Sequence, residues 1–229
     1  MPGLKEETIA RLKKRLIVSC QAEEGNPLLG LMPEMAVAAA KGGAGGIRAE
    51  GKDVREIRKV VSLPLIGLIK QSYPGFAPYI TPTLEEVEQI ISWGADIVAA
   101  DATERPRPDK KALKETIDLV HSRGKLFMAD VATLAEGRIA AAQGADLIGT
   151  TLSGYTEETK NLLDSEEPDW QLLQDLLKVI ESPVILEGRV WTPLQARRAI
   201  ELGAWSVVVG SAITRPQRIV ERYVQELTK

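Results

Sequence analysis

A chain of 229 residues, 44% of them hydrophobic, is long enough for one large core, and α/β barrels commonly run to this length as one unit. A net charge of -3 and a pI of about 5.5 exclude a global basic field, so neither nucleic acid nor an anionic membrane is an expected partner. The single cysteine, Cys20, excludes an internal disulfide, and the single histidine, His121, leaves no Cys/His zinc set.

Read in chain order, KEETIARLKK at about 5–14 predicts a helix ahead of the first strand. Short β-branched and apolar runs then predict strands at about 16–20, 45–49, 65–69, 96–100, 126–129, 146–150, 184–187 and 206–209. They are almost continuously hydrophobic, as parallel strands covered on both faces must be. Amphipathic stretches at about 32–42, 52–60, 84–93, 109–123, 132–143, 168–181, 193–202 and 215–227 predict a helix after each strand. Gly94, Gly144 and Gly203 end helices just ahead of strands, where a positive φ is wanted. Eight strand–helix units predict a single (β/α)8 TIM barrel over 1–229, with 1–15 as an N-terminal helical extension. The chain shows neither a secretory signal nor an apolar run of the roughly 18 residues that span a bilayer. A soluble cytoplasmic protein is the expectation.

In such a barrel the chemistry lies at the C-terminal strand ends. The residues there are Gln21, Arg48, Lys70, Asp101, Asp130, Thr150 with Thr151, Glu187, and Gly210 with Ser211. Phosphate is commonly held by the loops after the last two strands, where free N–H groups and a helix dipole favour an anion. Gly188, Gly210 and Ser211 stand there, and Arg215 before Pro216 can add a charge-assisted fork. Lys70 suits proton transfer or a Schiff base. Glu187 ends the seventh strand and can turn towards the same cavity. Cys20 reads as packing, His121 as a surface residue, and the four tryptophans as outer-layer or interface packing.

The strings LIVSCQA, GGIRAE, PLIGLIK, ADATERPRP, MADVAT, GADLIGTTLSGYT, VILEGRVWTP and VVVGSAITRP, in this order over roughly 16–223, resemble N-acetylmannosamine-6-phosphate 2-epimerases. The resemblance implies interconversion of N-acetylmannosamine 6-phosphate and N-acetylglucosamine 6-phosphate, a step in bacterial sialic acid use. It implies catalytic roles for Lys70 and Glu187, and places Gln21, Arg48, Asp130, Thr151 and Tyr155 around the sugar. It sets Gly188, Gly210, Ser211 and Arg215 near phosphate, and implies a homodimer. Where other members show Gly-Gly this chain has Gly210-Ser211, which keeps the backbone N–H and adds a donor. Ser153 carries no catalytic role.

Inverting C2 means removing a proton that is acidified only when the ring opens to an aldehyde, so no metal and no redox cofactor are expected. A lysine with a pKa of about 10.4 is neutral only about once in 2,500 at pH 7. Making it a base means lowering that value towards about 7–8, a cost of about 3–5 kcal/mol to the charged form. Burial and Arg48 favour this and an ionised Glu187 opposes it. The expectation is a Lys70–Glu187 pair holding one shared proton.

Overall fold

The computed structural model describes residues 3–229, so Met1 and Pro2 of the expected 1–229 unit lie outside the described residues. Eight parallel strands close into a barrel in chain order, and the last pairs back on the first. They are β1 (Leu16–Cys20), β2 (Gly46–Glu50), β3 (Leu65–Leu68), β4 (Ile97–Asp101), β5 (Leu126–Asp130), β6 (Leu147–Gly149), β7 (Val184–Glu187) and β8 (Ser206–Val209). The helices are α1 (Leu4–Leu12), α2 (Met32–Lys41), α3 (Asp53–Val60), α4 (Leu84–Ser92), α5 (Leu113–Ser122), α6 (Leu134–Ala142), α7 (Trp170–Val179), α8 (Pro193–Leu202), α9 (Ser211–Thr214) and α10 (Pro216–Leu227). This is the expected (β/α)8 barrel with a helix ahead of it.

The period of two along each strand explains both the core and the site. Ile17, Ile66, Ile97, Leu126, Leu147, Ile185 and Val208 point inward and fill the barrel. Their alternates, among them Val18, Ile47, Leu65, Val98, Phe127, Ile148, Val184 and Val207, pack outward under the helices. Burying each such side chain contributes roughly 1.5–3 kcal/mol. The inward set continues upward with the same parity to Gln21, Arg48, Glu50, Lys70, Asp130, Thr151, Glu187 and Gly210. Glycine makes room at two inward positions. A Cβ on Gly46 would stand 2.7 Å from Leu12, and one on Gly149 would stand 2.4 Å from Met128.

The floor is closed by α1. Leu12 is fully buried among the inward residues, with Ile9 and Trp205 packed on that cluster. The Trp205 indole N–H donates to the Ile9 carbonyl at 2.9 Å, and Lys14 N–H donates to Trp205 at 2.6 Å. Gly94, Gly144 and Gly203 have φ of 91°, 101° and 112°, as their place after helices requires.

Some boundaries differ from expectation for local reasons. The helix expected from 109 begins at Leu113, because Asp109 accepts from Lys111 and Leu84 backbone N–H groups and Lys110 takes φ 60°. The stretch expected to start at 168 begins at Trp170, with Asp169 capping Leu172 N–H at 2.9 Å. The last predicted helix, 215–227, is α10, and a short helix that was not expected, α9, precedes it. The four-residue α9 ends at Thr214, Arg215 stands between the two helices, and Pro216 opens α10, as a residue with no N–H to satisfy does well at a first helical position.

Candidate active site

A cavity of about 310 Å³ opens at the C-terminal ends of the strands, the size range of small-molecule sites. Gln21, Arg48, Lys70, Thr151, Tyr155, Glu187, Gly188, Gly210, Ser211 and Arg215 all line it. Asp130, the remaining expected site residue, is fully buried behind them. Ser19, Glu23, Tyr79, Arg189 and Trp191 also line the cavity and were not expected.

The floor of the cavity is an ionic cluster. Arg48, only 1% exposed, donates from Nη1 and Nη2 to the two oxygens of Asp130 at 3.1 and 2.7 Å. Nη1 also lies 3.3 Å from Glu187 Oε2. Burial works against the guanidinium charge, but Asp130 and Glu187 outweigh it and hold Arg48 charged. One cation between two carboxylates leaves an excess negative charge if both ionise. Burial accordingly pushes the Glu187 carboxyl up to about 7, with Asp130 adding to the rise and Arg48, Thr151 and Lys70 opposing it. Glu187 is thus ion-paired with Arg48, whereas the expected partner Lys70 is paired with Glu23 and Glu50.

Lys70 is held elsewhere. The chain after β3 doubles back, with Lys70 bridged antiparallel to Ile80 and Gln71 N–H donating to Tyr79 at 2.9 Å. This fold-back sets Tyr79 over the cavity, and burial pushes its hydroxyl up to about 12. The Lys70 ammonium lies 3.1 Å from Glu50 Oε2 and 3.2 Å from Glu23 Oε1. Glu50 has the inward parity at the end of β2 and was legible in that pattern; Glu23, on a loop, was not.

On the β7–β8 side, Gly188 takes φ 108° and Arg189 takes φ 57°, so the loop turns sharply as it leaves β7. Arg189 then braces the loop after β6, donating to the Ser153 carbonyl at 2.7 Å. Ser153 donates to Asp169 at 2.7 Å, a structural bond in keeping with its having no expected catalytic part. Gly210 precedes α9, which Thr214 ties to β1 by donating to the Ser19 carbonyl at 2.8 Å. Trp191 closes one wall, its ring covered by the Arg222 guanidinium 4.2 Å away.

Two members of the expected ring turn aside. Asp101 binds Arg105 at 2.6 Å and the Thr103 hydroxyl at 2.6 Å, and it does not line the cavity. Thr150 has outward parity, and its hydroxyl donates to the Glu187 carbonyl at 2.9 Å. Cys20 is fully buried in the outer layer. His121 is partly exposed and pairs with Asp146 at 2.7 Å, a more tied residue than the expected free surface group.

Among the described residues no group of three or more His, Cys, Asp and Glu is arranged to hold a metal ion, and no helix is long and apolar enough to cross a membrane.

Residues 32–229 match the NanE family, described as "Putative N-acetylmannosamine-6-phosphate epimerase". A relative from Caldanaerobacter subterraneus subsp. tengcongensis, described in the corresponding words as a 2-epimerase, is 50% identical over 95% of this chain and 93% of its own. One from Clostridium perfringens is 46% identical over 94% of this chain and 98% of its own. The solved structure of the N-acetylmannosamine-6-phosphate 2-epimerase from Clostridium perfringens superposes with a TM-score of 0.91 at 45% identity, covering 95% of each chain. Thiamine phosphate pyrophosphorylase from Pyrococcus furiosus, at TM-score 0.60 and 17% identity, shares the fold alone. The chain belongs to the N-acetylmannosamine-6-phosphate epimerase family.

Proposed function

We propose that this protein interconverts N-acetylmannosamine 6-phosphate and N-acetylglucosamine 6-phosphate by moving the proton on C2. The observation that carries the reading is one cavity lined at once by Lys70, by Glu187 with its carboxyl near pKa 7, and by the β7–β8 loops that suit phosphate. Gly188, Gly210, Ser211 and Arg215 take the phosphate group. Gln21, Thr151 and Tyr155 face the sugar, and Asp130 acts from behind by fixing Arg48 and Thr151.

The chemistry follows from the residues. Glu187, with its carboxyl raised to about 7, gives a proton to the ring oxygen while the C1 hydroxyl releases one to water, so the bond from C1 to the ring oxygen breaks and the aldehyde forms. The aldehyde then acidifies the C2–H bond. Lys70, once its ammonium has passed a proton to the Glu50 carboxylate 3.1 Å away, takes the C2 proton as a neutral amine, and the electron pair of the C2–H bond moves towards the C1 carbonyl to leave an enolate. Arg48 is a fixed cation at the cavity wall, placed to favour that charge without reorganising. Return of a proton to the opposite face of C2 completes the inversion, with no net change in oxidation state.

The test is proton NMR of N-acetylmannosamine 6-phosphate with the protein in deuterated water. Appearance of the second epimer with deuterium at C2 supports the reading. Turnover without C2 exchange, or binding without turnover, overturns it. Borohydride added with substrate should leave Lys70 unmodified; covalent trapping there would favour a Schiff-base aldolase.

The reading extends to assembly and place. Val220, Tyr223, Val224 and Leu227 recur at helical spacing on α10, all exposed, and α10 buries none of its residues. Such a face supports a homodimer. Sedimentation of the protein and of a Tyr223→Asp variant tests it, with a dimer expected for the first and a monomer for the second. A charged sugar phosphate is retained inside the membrane that encloses it, which favours the cytoplasm.

A further inference from the structure

Glu23 has no part in the scheme above, yet it joins both halves of the site. Its Oε1 accepts from Lys70 Nζ at 3.2 Å and from Arg215 Nη2 at 2.9 Å. One carboxylate oxygen therefore ties the group proposed to move the C2 proton to the group proposed to hold phosphate. Burial alone raises the Glu23 carboxyl, but the hydrogen bond from Arg215 and the charge of Lys70 bring it below its ordinary value. It is an anion standing where an anion is to bind.

The side chain is built to leave. Glu23 is 57% exposed, against 26% for Lys70 and 22% for Arg215. It sits on the loop between β1 and α2, and among the described residues no other side chain donates a hydrogen bond to it. Lys70 does not depend on it alone, because Glu50 Oε2 lies 3.1 Å from the same ammonium on the rim of β2. Arg48, Tyr79 and Glu187 complete the charged and titratable surroundings of Lys70 in the cavity.

We propose that Glu23 is a positioning residue, a carboxylate latch that closes the empty site by joining Lys70 to Arg215 and is displaced when the substrate's phosphate reaches Arg215. The proposal rests on the sugar-phosphate reading. A phosphate monoester carries about −1.5 to −2 charge near neutral pH. It therefore outcompetes a single carboxylate for Arg215 and repels it once bound. The displaced Glu23 lets go of Lys70 in the same movement, so Lys70 goes from two carboxylate partners to Glu50 alone only when the phosphate arm is seated. An amino sugar without phosphate leaves the latch in place, which makes Glu23 a determinant of specificity for the phosphorylated substrate.

Calorimetry with inorganic phosphate and steady-state kinetics, each on wild type and Glu23→Gln, test this. Glu23→Gln keeps the shape and removes the charge. It should bind inorganic phosphate at least threefold more tightly and lower KM by a similar factor. It should leave kcat within twofold, because the latch is already open in the saturated wild type. It should also gain activity on unphosphorylated N-acetylmannosamine. Unchanged phosphate affinity and KM overturn the latch. A large fall in kcat at unchanged KM also overturns it, by placing Glu23 in the chemistry. The neighbouring Glu24→Gln is the control; the same shift there would make the effect one of general loop charge and overturn the proposal. If wild type shows no epimerase turnover, the functional reading fails, while phosphate calorimetry still decides on the latch.

Discussion

Thr151 and Glu187 are joined by a hydrogen bond of 3.2 Å that competes with a shorter one, 2.7 Å, from the same Thr151 hydroxyl to Asp130. A hydroxyl has one hydrogen to give and two lone pairs to offer. Thr151 donates to Glu187 as well as to Asp130, and a donor aimed at the carboxylate favours its ionised form. With Glu187 ionised, two carboxylates compete for one hydrogen. The threonine thereby links the proton on Glu187 to the charge on Asp130.

Thr151→Val keeps the volume and removes the relay. The Thr151 hydrogen bond lowers the Glu187 pKa, so its loss should raise that value above about 7. In the pH profile of kcat/KM, the inflection belonging to Glu187 should move to higher pH by a few tenths of a unit or more. An unmoved inflection would show that Thr151 does not sense the proton.

Glu187 also makes stability depend on pH. Its pKa is raised from the ordinary carboxyl value of 4.5 to about 7 in the fold, so the folded state holds a proton that the unfolded chain releases. The resulting stabilisation is fully present below about pH 4.5 and is lost as pH rises through about 7. Glu187→Gln, which cannot ionise, should flatten the decline in Tm between pH 5 and 8. Its epimerase activity should fall about 10²–10⁴-fold, the usual weight of a general acid or base. Thermal melts across this pH range, with kinetics at the midpoint, check both.

Asp130→Ala should be the most destabilising single change in the site. It leaves Arg48 buried with its bidentate partner gone, a loss of about 3–5 kcal/mol for breaking a buried pair. Glu187 compensates in part, because removal of the Asp130 charge lowers its pKa and lets it ionise beside Arg48. Urea unfolding at pH 5 and pH 8 should therefore give the larger loss at pH 5. A loss that is small at both values would mean that Arg48 finds another partner.

Cys20 should be inert in the native protein. It is fully buried, and burial with the nearby charge of Asp53 pushes its thiol up to about 12. A thiol reagent should label it only after unfolding. Labelling at native pH 8 on the timescale of minutes would contradict the packing role.

Much of this arrangement was legible in the chain. Eight apolar runs gave the barrel, and the strand period of two placed Arg48, Lys70, Thr151 and Glu187 on the inside once one inward residue per strand was identified. Glu50 lay in that pattern and was overlooked. What stayed hidden depended on register or on loop path. Arg48 meets Asp130 across 82 positions because β2 and β5 face each other over the barrel interior, a relation no local pattern carries. Asp101 looks like Asp130 in sequence, ending β4 as Asp130 ends β5. It is turned away by Arg105 four residues later, whose pull is visible only once the loop after β4 is folded. Glu23, Tyr79 and Trp191 reach the cavity from loops, where the alternation that guides the strands does not apply.

The seal that α1 makes beneath the barrel bears on how molecules pass through it. With Leu12 fully buried among the inward residues and Trp205 bonded back to Ile9, the described residues close the floor and leave the cavity open at the C-terminal strand ends. A sugar phosphate that enters there must leave by the path it came, and its epimer uses the same exit. Each product molecule therefore blocks the next substrate until it departs, and the two epimers, alike except at one carbon, compete for the doorway on nearly equal terms.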